Sequence, residues 1–317
     1  MKSLVSKIIA STLLCTALFI ISSCDQPKQS TSDPLTPGST NPGNGIPHAG
    51  YPDWSPTGER LAFVRDSMIY VYYFSDKHIE ALTVGTEPNF SPDGARLTFE
   101  RNKKIYWIDL TTKQETFLAD GITPNWSANG NSIAFANEKA SRLLTDGTIV
   151  YGEMSPDSSL YYYDLQNATV KRVIVTNYDS LYIGSMLSMF SPVWAMHDSI
   201  LLFSSEFGIW KVKTSGGRAV LFARQFPPNV VLEKNQQGEE LGNSGQERWN
   251  EATRNLVWFQ NTAYGVPGFL PVIASYNFDT DILNAPIAYH VSDPCWSPDG
   301  KQIACYRNDS VQIINFK

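Results

Sequence analysis

Few residues of this 317-residue chain have the types and spacing that catalysis or metal binding requires. The four histidines, His48, His78, His197 and His290, lie far apart, and none stands at a metal-ligand spacing from another ligand. Four aspartates could serve as general acids of a glycosidase or lyase, but they form no pair: Asp157, Asp164, Asp179 and Asp198. We therefore predict surface or loop histidines, aspartates with turn or capping roles, and no catalytic residue, metal or cofactor.

Cys24 has the sequence context that points most directly to chemistry. Lys2 and Lys7 flank the start of the chain, and residues 8–21 form an apolar run of 14 residues. That run fits a signal-peptide core, because a membrane span needs about 20 apolar residues. It ends in Ile21-Ser22-Ser23-Cys24, which resembles the lipobox of bacterial lipoproteins. The resemblance implies that residues 1–23 are removed and that the Cys24 thiol carries acyl chains such as palmitate. The alternative is an ordinary secretory signal with an incidental cysteine.

The segment after Cys24 has the composition of a tether. Residues 25–47 are rich in Ser, Thr, Pro, Gly and Asn, and Leu35 and Ile46 are their only aliphatic residues. Such a segment cannot bury enough apolar area to offset the entropy lost on ordering. We predict that residues 24–50 are a flexible, lipid-anchored tether and that residues 51–317 form one large all-β domain.

The charge balance excludes two classes of partner. Without the two lysines of the signal region, the chain has 23 basic and 31 acidic residues, a net charge near −8. It has no Lys/Arg cluster, so neither nucleic acid nor an anionic lipid surface is expected to bind.

A motif of seven residues recurs along the domain and predicts its architecture. Trp54, Phe90 and Trp126 each occupy its third position and are 36 residues apart, and the later copies follow at gaps of 68, 55 and 47 residues. The copies begin at Pro52, Pro88, Pro124 and Pro294, with a degraded copy that begins at Pro192 and a weaker one over residues 248–254. Six units at this period predict a radial array.

Each unit repeats the same pattern of strands and turns. Two or three short runs of β-branched and aromatic residues follow the motif, as expected for antiparallel meanders. The Ser-Pro-Asp-Gly part predicts a tight turn, and its aromatic residue is expected to fill the wedge between units. The motif proline lacks a backbone N–H, which places its strand at a sheet edge. We predict six four-stranded blades, that is, a six-bladed β-propeller.

The repeat is similar to that of the TolB-like propellers, which are related to the WD-repeat propellers. The resemblance rests on Pro-x-Trp-Ser-Pro-Asp-Gly followed by an Ile-Ala-Phe-like strand, and it covers residues 51–317. It implies the six-bladed architecture but no particular function, because this fold hosts many roles. TolB proteins have an additional N-terminal α/β domain, whereas here the tether leads directly into the first unit. No Gly-x-Ser-x-Gly motif of the hydrolases that accompany some propellers occurs.

Ring closure and the two late cysteines leave alternatives open. The last unit offers three strands, so we expect either a three-stranded final blade or a short outer strand from residues 45–50. Cys295 and Cys305 flank the last hairpin and are expected on one face of adjacent strands. An exported protein lies in a compartment where disulfides form, so the two cysteines could be bonded to each other. The other interpretation is that both are buried free thiols.

The long insertions are predicted to share one face of the disc. In a four-stranded meander, residues 137–159, 176–191, 225–246 and 260–270 all map to that face, and the opposite face has only short turns. Loops on rigid scaffolds often carry function. The aromatic residues of these loops are the predicted partner-binding set: Tyr151, Tyr178, Tyr182, Phe226, Tyr264 and Phe269.

These features favour a non-enzymatic binding or scaffold protein, exported to the bacterial envelope and lipid-anchored at the outer membrane or periplasmic face. A monomer is expected, with an envelope protein or a glycan as its partner and the lipid anchor as its membrane contact. The alternative is a polysaccharide-active propeller enzyme, a glycosidase or lyase. A carboxylate pair or a His/Arg cluster converging over the channel on the long-loop side would favour that alternative, and a broad aromatic surface without such a cluster would favour binding.

Overall fold

Apolar runs separated by tight turns form β-strands throughout the part of the chain that the structure describes. The computed structural model describes residues 50–137, 141–143, 149–151, 160–176, 189–205, 208–224, 244–262, 270–280, 282–307 and 310–316. These residues form 27 strands. No helix in these ranges is long and apolar enough to cross a membrane.

The first three blades each contain four antiparallel strands. Blade 1 is β1 (Gly50–Trp54), β2 (Arg60–Arg65), β3 (Met68–Tyr73) and β4 (Ile79–Val84). Blade 2 is β5 (Thr86–Phe90), β6 (Arg96–Glu100), β7 (Lys104–Asp109) and β8 (Glu115–Asp120). Blade 3 is β9 (Ile122–Trp126), β10 (Ser132–Ala136), β13 (Leu160–Asp164) and β14 (Thr169–Val173), with a hairpin of β11 (Ser141–Leu143) and β12 (Ile149–Tyr151) inserted.

The last three blades follow the same order from the channel outward. Blade 4 is β16 (Phe190–Ala195), β17 (Ile200–Ser205), β18 (Gly208–Lys213) and β20 (Val220–Arg224). Blade 5 is β21 (Ser244–Asn250), β22 (Asn255–Thr262), β23 (Leu270–Asn277) and β24 (Ile282–Tyr289). Blade 6 is β25 (Ser292–Trp296), β26 (Gln302–Arg307) and β27 (Ser310–Asn315), and a short parallel pair joins β15 (Val175–Thr176) to β19 (Gly217–Arg218).

The six-bladed propeller predicted from the repeat is therefore confirmed. Each innermost strand, including the proline-bearing ones, is the edge strand of its sheet. Within the described residues the last blade has three strands, and the ring closes because β1 packs against β25 and β26.

Six hydrophobic clusters hold the blades together, one at each boundary between neighbouring blades in the described residues. The motif aromatics belong to these clusters: Trp54 lies between blades 6 and 1, Phe90 between blades 1 and 2, and Trp126 between blades 2 and 3. The predicted wedge role of these side chains is confirmed.

The Ser-Pro-Asp-Gly turns are built as the residue types predict. In the second copy, the Gly94 N–H donates to the Ser91 carbonyl over 2.8 Å, and Gly94 has a φ of +69°, which suits glycine. The Ser91 hydroxyl accepts from the Arg96 N–H (2.9 Å) and donates to the Asp93 carboxylate (2.6 Å). The motif side chains thus form hydrogen bonds with backbone groups that the turn would otherwise leave without a partner.

The expectation that Cys295 and Cys305 share a face is wrong. Cys295 pairs with Ala304 across the hairpin, so Cys305, one residue further, points to the opposite face. The reason is the register that the turn imposes: Trp296 pairs with Ile303 and Cys295 with Ala304, so paired positions have opposite parity and two residues of equal parity lie on opposite faces. Cys295 packs towards blade 1 and Cys305 towards blade 5, and both are buried free thiols.

The long connections leave the blades at one end of the sheets. Ala136, the last residue of β10, pairs with both Ile122 at the start of β9 and Leu160 at the start of β13. Likewise β22 ends and β23 begins at a Thr262–Leu270 pair. All four insertions join the sheets where the innermost strands begin, opposite the Ser-Pro-Asp-Gly turns.

Candidate functional site

The second motif residue of every blade lines the central channel. These six positions form a ring that we call the motif ring: Asp53, Asn89, Asn125, Val193, Arg248 and Cys295. The repeat places them there because the innermost strand lines the channel and the adjacent aromatic turns into the blade boundary. Arg248 is the only cationic member.

Side chains of the motif ring link consecutive blades by hydrogen bonds. Asp53 accepts from the Phe90 N–H (2.7 Å) and from the Asn89 side-chain amide (3.1 Å). Asn89 Oδ1 accepts from the Trp126 N–H over 2.8 Å. Asn125 Oδ1 accepts from the backbone N–H of the next motif tryptophan, in blade 4, over 3.2 Å. The Asp or Asn at this motif position therefore joins each blade to the next.

The motif ring and the turns enclose a funnel with a volume of about 350 Å³. Motif aromatics and the turn prolines Pro56, Pro92 and Pro298 line its wall, and it opens on the side of the Ser-Pro-Asp-Gly turns. Its polar base and apolar wall are the composition of a binding pocket. We call this cavity the funnel.

Glu251 and Asp198, in the two degraded motifs, form hydrogen bonds between blades at the open end of the funnel, which we call the funnel mouth. Asp198 accepts from the Ala128 N–H (2.7 Å) and the Asn129 N–H (3.0 Å) of blade 3. Glu251 accepts from the Trp249 indole N–H (2.6 Å) and the His197 N–H (3.2 Å). The mouth therefore keeps hydrogen bonds between blades where the Ser-Pro-Asp-Gly sequence is lost.

A bulge repeats at the other end of the innermost strands. The residue before the motif proline has a left-handed backbone in five blades: Tyr51, Glu87, Thr123, Ser191 and Asp293 have φ between +50° and +56°. A residue before proline normally adopts extended backbone, so this conformation is strained. Tyr51 lines the small cavity at this end of the channel, and Asp53, two residues later, belongs to the motif ring.

Acidic groups dominate the channel at this inner end. A small cavity of about 10 Å³ lies there, lined by Tyr51, Glu87, Thr123 and Arg248 among others. Burial, and then the charge of Glu100, raises the pKa of Glu87 to about 8. Burial also raises the pKa of Asp53 to about 6, although the charge of Arg248 opposes that shift. Within the described residues no group of three His, Cys, Asp or Glu is arranged to hold a metal ion.

The residues predicted from the sequence have different outcomes. Cys24, Tyr178, Tyr182, Phe226, Tyr264 and Phe269 lie outside the described residues, as do His48, Asp157 and Asp179. Tyr151 ends β12, and its side chain is not described. The three described histidines are exposed, as predicted.

The described aspartates also have the predicted turn roles. Asp164 accepts from the Gln166 and Asn167 backbone N–H groups. The Lys171 ammonium, 2.5 Å from its carboxylate, holds the pKa of Asp164 well below its usual range. Asp198 accepts hydrogen bonds from two backbone N–H groups of the blade 3 turn.

The motif ring was not among the sites predicted from the sequence. Its signal was present in the sequence as the middle residue of Pro-x-Trp, which is polar in five of six copies if the cysteine is included. A strand alternation alone would have assigned that residue to one side without revealing six such side chains around one channel.

Comparison with solved structures agrees with this architecture. The chain superposes on a protein assigned as TolB from Agrobacterium tumefaciens with a TM-score of 0.56 and 15% identity, covering 85% of this chain and 91% of that chain. The chain has the TolB-like propeller fold. TolB from Acinetobacter baumannii matches with a TM-score of 0.49 and 14% identity over 84% of this chain and 62% of that chain. No protein-family model and no curated protein matches the sequence. At these identities the TolB-like propeller is a statement about fold, and function has to be argued from the site.

Proposed function

We propose that this TolB-like propeller is a non-enzymatic binding protein of the bacterial envelope, anchored through acylated Cys24. The funnel is the single observation that carries the binding role: a rigid ring of six blades encloses a cavity of about 350 Å³ with an apolar wall and a polar base. The export signal and lipobox resemblance of residues 1–24 support the location and the anchor.

Two surfaces compete as the contact with the partner. The funnel opens on the turn face, and the long loops with Tyr178 and Tyr182 attach to the other end of the blades. The funnel has described geometry in its favour, whereas the loops are favoured by their length and aromatic content. Both surfaces are compatible with an envelope protein or a glycan as the partner.

The anchor is tested by replacing Cys24 with serine. We expect the Cys24→Ser protein to lose labelling by radioactive palmitate and to leave the membrane fraction, since serine offers no thiol for acylation. Cys305→Ser is the matched control, because Cys305 is a buried thiol of the propeller. Undiminished labelling of Cys24→Ser would exclude the lipobox interpretation.

The two surfaces are separated by matched variants in a pull-down of the lipidated protein from its own envelope. Ala252 is exposed and lines the funnel, so Ala252→Tyr narrows the funnel at little cost in stability. We expect this variant to lose the captured partner by at least tenfold, with a melting temperature within about 2 °C of wild type. Combined Tyr178→Ser and Tyr182→Ser substitutions test the loops in the same assay. Loss only in the loop variant would assign the contact to the long-loop face.

A polysaccharide-active enzyme is the second candidate, and one observation favours it. Glu87 and Arg248 lie together in the channel at the end where the long loops attach, with Glu100 and Asp293 close enough to act on the pKa of Glu87. The cavity beside them measures only about 10 Å³ in the described residues, which is too small for a sugar ring. Cleavage of an envelope polysaccharide by wild type but not by Glu87→Gln would establish this candidate, and equal inactivity of both would remove it.

A further inference from the structure

The hydrogen-bonding groups at the base of the funnel are unequally used. Both carboxylate oxygens of Asp53 accept hydrogen bonds from blade 2. The side-chain oxygens of Asn89 and Asn125 accept backbone N–H groups of the following blades. The acceptors of the motif ring are therefore occupied by the fold itself.

The groups that remain available are donors. Arg248 donates one hydrogen bond, from Nη1 to the Glu247 carbonyl (3.0 Å), and its Nε is buried without a hydrogen-bond partner among the described residues. Asn125 uses its side-chain oxygen to accept the Trp194 N–H, so the remaining polar group of its side chain is the amide N–H donor. Both residues line the funnel and the inner cavity. A ligand that reaches the base thus meets N–H groups and one positive charge.

Asp53 does not neutralise this donor set by hydrogen bonding. Its carboxylate lies 4.0 Å from Arg248 Nε, which is an ion-pair distance but too long for a hydrogen bond. Glu87 and Glu247 also lie near enough to Arg248 to interact with its charge, but burial raises the pKa of each to about 8, so both hold a proton at neutral pH. Asp53, whose pKa burial raises to about 6, is the ionised neighbour that weakens the attraction for an anion, and its charge gives the test below its sign.

The wall of the funnel favours a protein segment over a glycan. Five of the six motif aromatics are only 4–9% exposed, because their rings are wedged between the blades: Trp54, Phe90, Trp126, Trp194 and Trp296. These five offer no open ring face on which a sugar could stack. The sixth, Trp249, is half-buried, with its ring at 89° to that of Phe278 and its indole N–H donated to Glu251. Proline rings and aromatic edges suit the side chains of an extended peptide.

We propose that the funnel binds an extended protein segment through an Asp or Glu side chain, which is received by Arg248 and Asn125 at the base. A guanidinium fork matches a carboxylate in geometry and charge, and the aromatic wall excludes water from the pair. The inference rests on the proposed binding function and adds to it the chemistry of the partner.

The repeat itself supplies conservative test variants. Asparagine occupies the equivalent position in blades 2 and 3, so Arg248→Asn and Asp53→Asn each introduce a residue that this position already accepts. Asp53→Asn keeps an oxygen for the Phe90 N–H, as Asn89 does for Trp126. Arg254→Asn is the control, because it removes the same charge from blade 5 outside the funnel.

The probe is a library of phage-displayed random heptapeptides, selected on the wild-type protein and measured as synthetic peptides by calorimetry. We expect the selected peptides to share an Asp or Glu whose replacement by the amide raises Kd about tenfold. Arg248→Asn should raise Kd by a similar factor and remove the difference between acid and amide. Asp53→Asn should lower Kd several-fold, and Arg254→Asn should leave it unchanged.

Three outcomes would overturn the inference. Peptides that bind in the funnel without an acidic residue, or through Lys or Arg in a manner that Asp53→Asn abolishes, would retain the proposed binding function and refute the carboxylate. A selection that yields no peptide sensitive to Arg248→Asn would also refute it. If in addition Ala252→Tyr keeps the captured partner, the funnel is excluded from the proposed function as well.

Discussion

Replacing Phe135 by alanine is expected to lower the free energy of unfolding by about 4 kcal/mol. Phe135 is 2% exposed and lies in the cluster between blades 2 and 3, where its ring stacks on Tyr161 with centroids 5.7 Å apart. The side chain also lies against Gly121, at which an added Cβ would stand 2.4 Å from the Phe135 ring. Alanine would leave a cavity that the rigid neighbouring strands cannot fill.

Phe117→Ala is the matched control for this loss of stability. The same side chain is removed there, but Phe117 is 50% exposed on the outer strand of blade 2. We expect a cost below about 1 kcal/mol, and urea unfolding of both variants gives the comparison. Equal losses at the two positions would contradict the view that the blade boundaries carry the stability of the ring.

Glu247→Gln is expected to stabilise the protein at neutral and alkaline pH, by about 4 kcal/mol at pH 8. Glu247 occupies the position of the motif proline in blade 5 and is fully buried. One carboxyl oxygen of Glu247 accepts a hydrogen bond from the Ser204 hydroxyl of blade 4, and the other has no hydrogen-bond partner in the described residues. Burial raises the pKa of Glu247 to about 8.

The sign of the pH dependence follows from the raised pKa. Between the ordinary pKa of 4.5 and the folded pKa of about 8, the folded protein holds a proton on Glu247 that the unfolded chain releases. Stability from this group is therefore complete below pH 4.5 and is lost as pH rises to 8. Glu87, whose pKa is also raised to about 8, acts in the same direction.

The measurement is the melting temperature of wild type and variants between pH 5 and pH 9. Wild type should lose stability across this range, and Glu247→Gln should flatten the curve. The exposed Glu59→Gln is the control and should leave the curve unchanged. A wild-type protein that gains stability from pH 5 to pH 8 would show that Glu247 is not held neutral in the folded state.

Much of the fold could be predicted from local sequence. The turn residues of Ser91-Pro92-Asp93-Gly94 bond to one another within a few positions, so their geometry depends on the residue types alone. The 36-residue spacing of the first three aromatics predicted the blades, because each repeat forms one sheet and each aromatic serves one boundary.

The cysteine pair shows where local reasoning failed. Parity counting places two residues of a hairpin on one face only if the paired positions have equal parity. In this hairpin Trp296 pairs with Ile303 and Cys295 with Ala304, so paired positions have opposite parity and Cys305 lies on the other face from Cys295. The same register recurs at Trp54–Leu61 and Phe90–Leu97, so it is set by the geometry of the turn, which parity counting ignores.

The sequence by itself determined the number of blades, because the motif recurs once in each. It also determined the turn chemistry and the edge position of the proline strands, because these depend on the residue types within one copy of the motif. Only the tertiary structure decided that Asp53, Asn125 and Arg248 meet around one channel. Those residues are separated by 72 and 123 positions, and closing the ring is what brings their side chains together. The funnel and its uneven supply of donors are therefore properties of the closed ring, to which each blade contributes a single side chain.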